Sequence, residues 1–78
     1  MADLLHLLRL ADAFIAATAI KEVTLSHRVF GDSKKIGMLR GGGDITVTRY
    51  NAAIDWFAAN WPADAAWPAG IARPEAAA

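Results

Sequence analysis

No cysteine occurs in this chain, which excludes a disulfide framework, a thiolate nucleophile and a cysteine zinc site. A small domain without those staples must be held by its core or by a partner subunit, and a reducing, cytoplasmic setting fits. Histidine is scarce, with only His6 and His27, and neither has a partner at the i,i+4 spacing that places two metal ligands on one helix face. No metal is expected. An uninterrupted hydrophobic run is also missing: the apolar opening "MADLLHLLRLADAFIAATAI" is broken at helical intervals by Asp3, His6, Arg9 and Asp12, so it neither spans a membrane nor exports the chain. No Gly-x-Ser-x-Gly elbow appears and no recognisable motif pairs two carboxylates. An enzyme, a cofactor and a small-molecule substrate are therefore not expected. Charge of one sign is not in excess either, since eight basic residues meet eight acidic ones.

What is present is an apolar, alanine-rich chain of 78 residues, 55% hydrophobic, the composition of one packed helical domain rather than a disordered tail. The balanced charge is unevenly distributed. Residues 1–20 carry a net −1, residues 21–50 a net +3 and residues 51–78 a net −2. The central third is thus the candidate contact surface for a polyanion.

Periodicity predicts a first helix from about Asp3 to Thr18, with Leu4, Leu7, Leu8, Ala11, Phe14, Ile15 and Thr18 on the core stripe. Leu5 falls off that stripe and is either ordinary surface or part of a dimer contact. Thr24 is a good N-cap for a short second helix, Leu25 to Phe30. Gly31 permits a turn, Asp32 or Ser33 can cap a third helix to about Leu39 or Arg40, and Gly41-Gly42-Gly43 ends it. Those glycines lack the preceding strand and following Lys-Ser/Thr of a phosphate loop. A fourth helix, capped at Asp44 or Thr46, should run to about Asn60 before Pro62, with Val47, Tyr50, Ile54, Phe57, Ala58 and Trp61 on its core stripe. Trp56 projects nearly opposite, among alanines. "DITVTRY" has strand propensity, but a lone strand has nothing to pair with. The remaining "WPADAAWPAGIARPEAAA" reads as an extended Trp/Pro tail whose Trp67 and Ile71 fold back on the Trp56 side, unless a second subunit covers it.

The central third also meets the constraints of a helix-turn-helix, in which a second short helix lies in the major groove. Leu25 and Val29 face inward from the first of the pair, and Ile36 and Leu39 from the second. Ser26 is the small residue where the helices pass closely. Ser33, Lys34, Gly37, Met38 and Arg40 point outward or flank, and none is an acid.

On these residues the segment Thr24 to Gly42 resembles the helix-turn-helix of the lambda-repressor-like (Cro or XRE type) DNA-binding family. "IGMLRGG" matches the end of that family's recognition helix. "VFGDSKK", "LRGGGDITVTRYNAAIDWFAANWP" and the Trp-Pro tail are similar to short prophage-like regulators of alphaproteobacteria, a likeness that covers almost the whole chain. The family usually has glycine and then an aliphatic residue in the turn, where this chain has Phe30 and then Gly31, so an altered entry of the recognition helix is expected. The resemblance implies base-facing positions at Ser33, Lys34, Gly37 and Met38. It implies phosphate contacts from Arg28, Lys35, Arg40 and Arg49, with the amide ends of helices at Thr24 and Thr46.

The expectation is an all-α, compact four-helix domain containing a helix-turn-helix (residues 1–61), followed by a C-terminal tail (62–78) that packs on the domain or on a partner subunit. Its function would be sequence-specific binding of double-stranded DNA as a repressor-like homodimer, with Leu5, Trp56, Trp67 and Ile71 forming the dimer or tail interface. The alternative is a small helical protein-interaction module, antitoxin- or adaptor-like, that does not touch DNA.

Overall fold

The computed structural model describes residues 4–71 and Arg73. The described residues form four helices and no strand: α1 (Leu4–Thr18), α2 (Glu22–Phe30), α3 (Lys35–Arg40) and α4 (Val47–Asn60). The expected start of the first helix at Asp3, and the tail at Ala72 and Pro74–Ala78, lie outside the described residues. None of these helices is long and apolar enough to cross a membrane.

α1 packs against α2, α3 and α4. It buries Leu7, Leu10, Ala11 and Phe14, so its core stripe is rotated from the expected one: Leu10 is fully buried while Thr18 is exposed. Thr18 instead donates its hydroxyl to the Phe14 carbonyl at 2.8 Å. The helix stops at Ala19, which adopts a left-handed φ of 58° and donates its amide to Ile15. A β-carbon is uncomfortable in that conformation, which costs roughly 1 kcal/mol relative to glycine. Burial of each large side chain such as Leu10 or Phe57 contributes about 2 kcal/mol, so one such contact offsets the strain.

α2 begins three residues earlier than the sequence suggested. Its N-cap is Lys21, without a side-chain hydrogen bond, and Thr24 lies inside the first turn and caps nothing. Glu22 in that first turn suits the positive end of the helix, and it gains a tertiary partner described below. At the other end Gly31 takes a left-handed φ of 72° and donates its amide to the His27 carbonyl, closing the helix as glycine does with least steric cost.

α4 is capped where its threonine predicts. The Thr46 hydroxyl accepts from the Arg49 amide at 3.2 Å. Its buried face is Ala53, Phe57 and Ala58, continued by Trp61. Val47, placed by periodicity on the core stripe, is instead 55% exposed, and Tyr50 and Ile54 are half-buried. The first turn of α4 projects beyond the core, so periodicity there has no partner to pack against.

Phe14 joins the two long helices, its ring lying 5.5 Å from Trp56, 5.8 Å from Phe57 and 5.8 Å from Trp61. The chain then folds back. Trp67 packs edge-on against Trp61 at 4.9 Å, and Ile71 is buried in the main core. The indole nitrogens of these two tryptophans have acceptors: Trp61 donates to the Ala65 carbonyl and Trp67 to the Ile71 carbonyl. Arg9 donates to the Ala69 carbonyl, Arg73 donates to the Ala58 carbonyl and lies 5.1 Å from the Trp67 ring centre. The segment 62–71 therefore forms a strap over the open end of α1 and α4.

Candidate nucleic-acid interface

The turn between α2 and α3 is organised by one buried hydroxyl. Ser26 donates to the Asp32 carbonyl at 2.6 Å and accepts from the Ile36 amide at 3.0 Å. Serine is the residue this point needs: small enough for the two helices to approach, and polar enough to satisfy both a turn carbonyl and a helix-start amide. Asp32 completes the turn. Its carboxylate accepts from the Lys34 amide at 2.9 Å, and its carbonyl accepts from the Lys35 amide at 3.2 Å. The amides of Lys34, Lys35 and Ile36 are thus all taken within the chain.

With Ile36 and Leu39 buried, the remaining side of α3 faces outward. Ser33, Lys34, Gly37 and Met38 are all exposed there, and Met38 is 55% exposed. Gly37 has nothing within 4 Å of where a β-carbon would stand. Gly43 is different: a β-carbon on it would lie 2.9 Å from the Met38 carbonyl oxygen. Only the second glycine is dictated by packing.

Lys35 is half-buried and reaches sideways, its ammonium donating to the Asp44 carbonyl at 3.3 Å. Together with Asp44, Ile45, Thr46 and Arg49 it lines an open cleft of about 290 Å³ at the start of α4. The Val47 and Thr48 amides that begin α4 have no acceptor within their own helix, so the cleft adds a helix amino end to two cations. Arg49 also borders a smaller hollow of about 90 Å³ formed with Val29, Phe30 and Ala52. The Asp44 carboxylate is the one acid at the larger cleft. In the sequence Asp44 reads only as a cap candidate, and its position two residues before Thr46 is the signal that it stands beside the helix start.

Comparison with family models, characterised proteins and solved structures finds no match. The site therefore rests on its own chemistry.

Of the expected phosphate contacts, the structure brings together Lys35, Thr46 and Arg49. Arg28 is exposed in the last turn of α2. Arg40 is a correction: its guanidinium donates to Glu22 and to Asp12, each at 2.6 Å. The Asp12 hydrogen bond, aided by Glu22 and opposed by partial burial, raises its pKa further above the ordinary arginine value. Arg40 is a clasp between α3, α1 and α2, and it was hidden from the sequence because Asp12 lies 28 residues away. Thr24 is likewise corrected, since its expected capping role falls to the backbone at Lys21 and the neighbouring Glu22 places a carboxylate at that helix end. Of the four expected interface residues, Trp56, Trp67 and Ile71 pack within the chain, while Leu5 is 65% exposed.

Proposed function

We propose that this protein is a sequence-specific DNA-binding regulator of the lambda-repressor-like type, placing α3 in the major groove as a homodimer. The observation that carries the reading is the clustering of Lys35, Arg49 and the capped start of α4 in one open cleft beside the acid-free outer face of α3. A phosphate is the natural occupant of such a cleft, because a helix amino end and two cations favour it together. Ser33, Lys34 and Met38 then face base edges, and Arg28 extends the backbone contact. A monomer of this size makes few contacts, and pairing two copies on half-sites one helical turn apart doubles both phosphate and base contacts.

With Arg40 removed from the phosphate set, Arg28, Lys35 and Arg49 remain. If all six of these cations in a dimer meet phosphates, log K falls by about 5 per decade of salt, at roughly 0.9 per phosphate. The test is binding of the parent and of a Lys34→Glu/Lys35→Glu variant to random duplex DNA across a salt series. Failure of the parent to bind at low salt, or equal binding by the variant, rules the reading out. Light scattering on the complex decides the dimer separately, and a single copy per half-site pair removes it.

A second reading, a helical module that binds another protein, is favoured by the exposed Leu5 and Val23. Loss of a protein complex on Leu5→Glu/Val23→Glu, with no DNA binding by the parent, would select it.

A further inference from the structure

We infer that Gly37 is the point at which α3 touches the floor of the major groove, and that the group it meets there is the C5-methyl of a thymine. The inference rests on the DNA-binding reading above and extends it from where the helix lies to what it reads.

Gly37 sits inside a six-residue helix and has no positive φ. Nothing stands within 4 Å of the place its β-carbon would occupy. Glycine is the poorest helix former after proline, so alanine at this position would fit the fold and strengthen the helix. Packing therefore gives no reason for glycine here, in contrast to Gly43, whose β-carbon would strike the Met38 carbonyl. The other physical use of a glycine is close approach of bare backbone to a ligand. Removing a β-carbon lets the helix come nearer by roughly the 1.5 Å of a carbon–carbon bond.

The surroundings define what approaches. Lys34 lies one turn before Gly37, Met38 lies beside it with 55% of its surface exposed, and no acid stands on this face of α3. Gly37 leaves bare backbone next to the exposed Met38 side chain, and Lys34 and Ser33 stand exposed at the start of the same short helix. In the major groove the thymine C5-methyl is the apolar group that projects toward a bound helix. A methyl seated against that bare backbone meets Gly37 and Met38, while Lys34 remains free to donate to a neighbouring guanine. A side chain at residue 37 would occupy the same space and push the helix out.

The experiment selects duplexes from a random library with the parent protein and then replaces each thymine of the recovered site with uracil, which removes only the methyl. We expect one thymine per half-site at which uracil weakens parent binding about tenfold, the loss of roughly 1.4 kcal/mol. Gly37→Ala should melt a few degrees higher than the parent, bind that site at least tenfold more weakly, and no longer distinguish thymine from uracil there. A recovered site in which no thymine responds to uracil overturns the inference while leaving DNA binding intact, and that arm needs no variant. Equal affinity and equal uracil response in Gly37→Ala overturn it in the same way. If the parent selects no duplex, the inference and the reading beneath it both fall. A change in oligomeric state without a change in DNA affinity would make the Gly37 face a contact between helices, and the thymine assignment would be wrong.

Discussion

The amide of Ile36 donates to the hydroxyl oxygen of Ser26 at 3.0 Å, a bond that is buried and joins residues ten apart in sequence. The same hydroxyl donates to the Asp32 carbonyl, so one side chain fixes the turn and the first turn of α3. Ser26→Ala would leave the Ile36 amide buried without an acceptor, costing about 2 kcal/mol. The melting temperature should then fall by roughly 10 °C for a domain of this size. A drop of less than about 2 °C would show that the bond is not needed to hold α3.

Arg40 is engaged by Asp12 and Glu22, which separates it experimentally from the cations of the cleft. Arg40→Met should lower stability by about 0.5 to 1 kcal/mol at low salt, and less at high salt, because all three side chains are partly exposed. The salt slope of DNA binding per subunit should not change. Lys35→Met should reduce that slope by about 0.9 per subunit, as loss of one phosphate contact does. Equal reductions in the two variants would place Arg40 back among the phosphate contacts.

Asp44 stands at the cleft beside Lys35 and Arg49 and close to the amino end of α4. Its carboxylate favours the helix but opposes a phosphate. Asp44→Asn should tighten DNA binding about threefold, some 0.65 kcal/mol, while lowering stability by about 0.5 kcal/mol through the lost helix-end interaction. Anisotropy titration and thermal melting check the two signs, and weaker binding by the variant would move the phosphate away from this cleft.

Two backbone positions predict opposite effects. Ala19 holds a left-handed φ of 58°, so Ala19→Gly should be neutral to stabilising by about 0.5 kcal/mol once the greater freedom of the unfolded chain is set against the relieved strain. Gly43→Ala would bring a β-carbon to 2.9 Å from the Met38 carbonyl and should destabilise by about 1 to 3 kcal/mol. Denaturant titration of both variants gives the comparison.

These positions also show which features the chain announces locally. Thr46 was legible as a cap because its acceptor role involves only Arg49, three residues on. Gly31 and the glycine stop after Arg40 were legible for the same reason. Ser26 was legible as a small residue, but its two hydrogen bonds depend on the path of the turn. The start of α2 was misplaced because threonine is the better cap by preference, whereas Glu22 is drawn into the helix where it meets Arg40. Leu10 was missed because α1 is covered by three helices, which widens its buried side beyond one periodic stripe. The clasp at Arg40 and the closure of the cleft by the Asp44 carbonyl are tertiary facts with no signature in charge counting.

The strap gives the chain a timing constraint. Arg9 donates to the Ala69 carbonyl across 60 residues of sequence, and Ile71 completes the apolar centre that Leu7, Leu10 and Phe14 begin. During synthesis at roughly 5 to 20 residues per second, α1 spends several seconds without its final partners. The aromatic side of α4 stays wet until the residues near Ile71 have left the ribosome, so the helices wait on the strap to be closed.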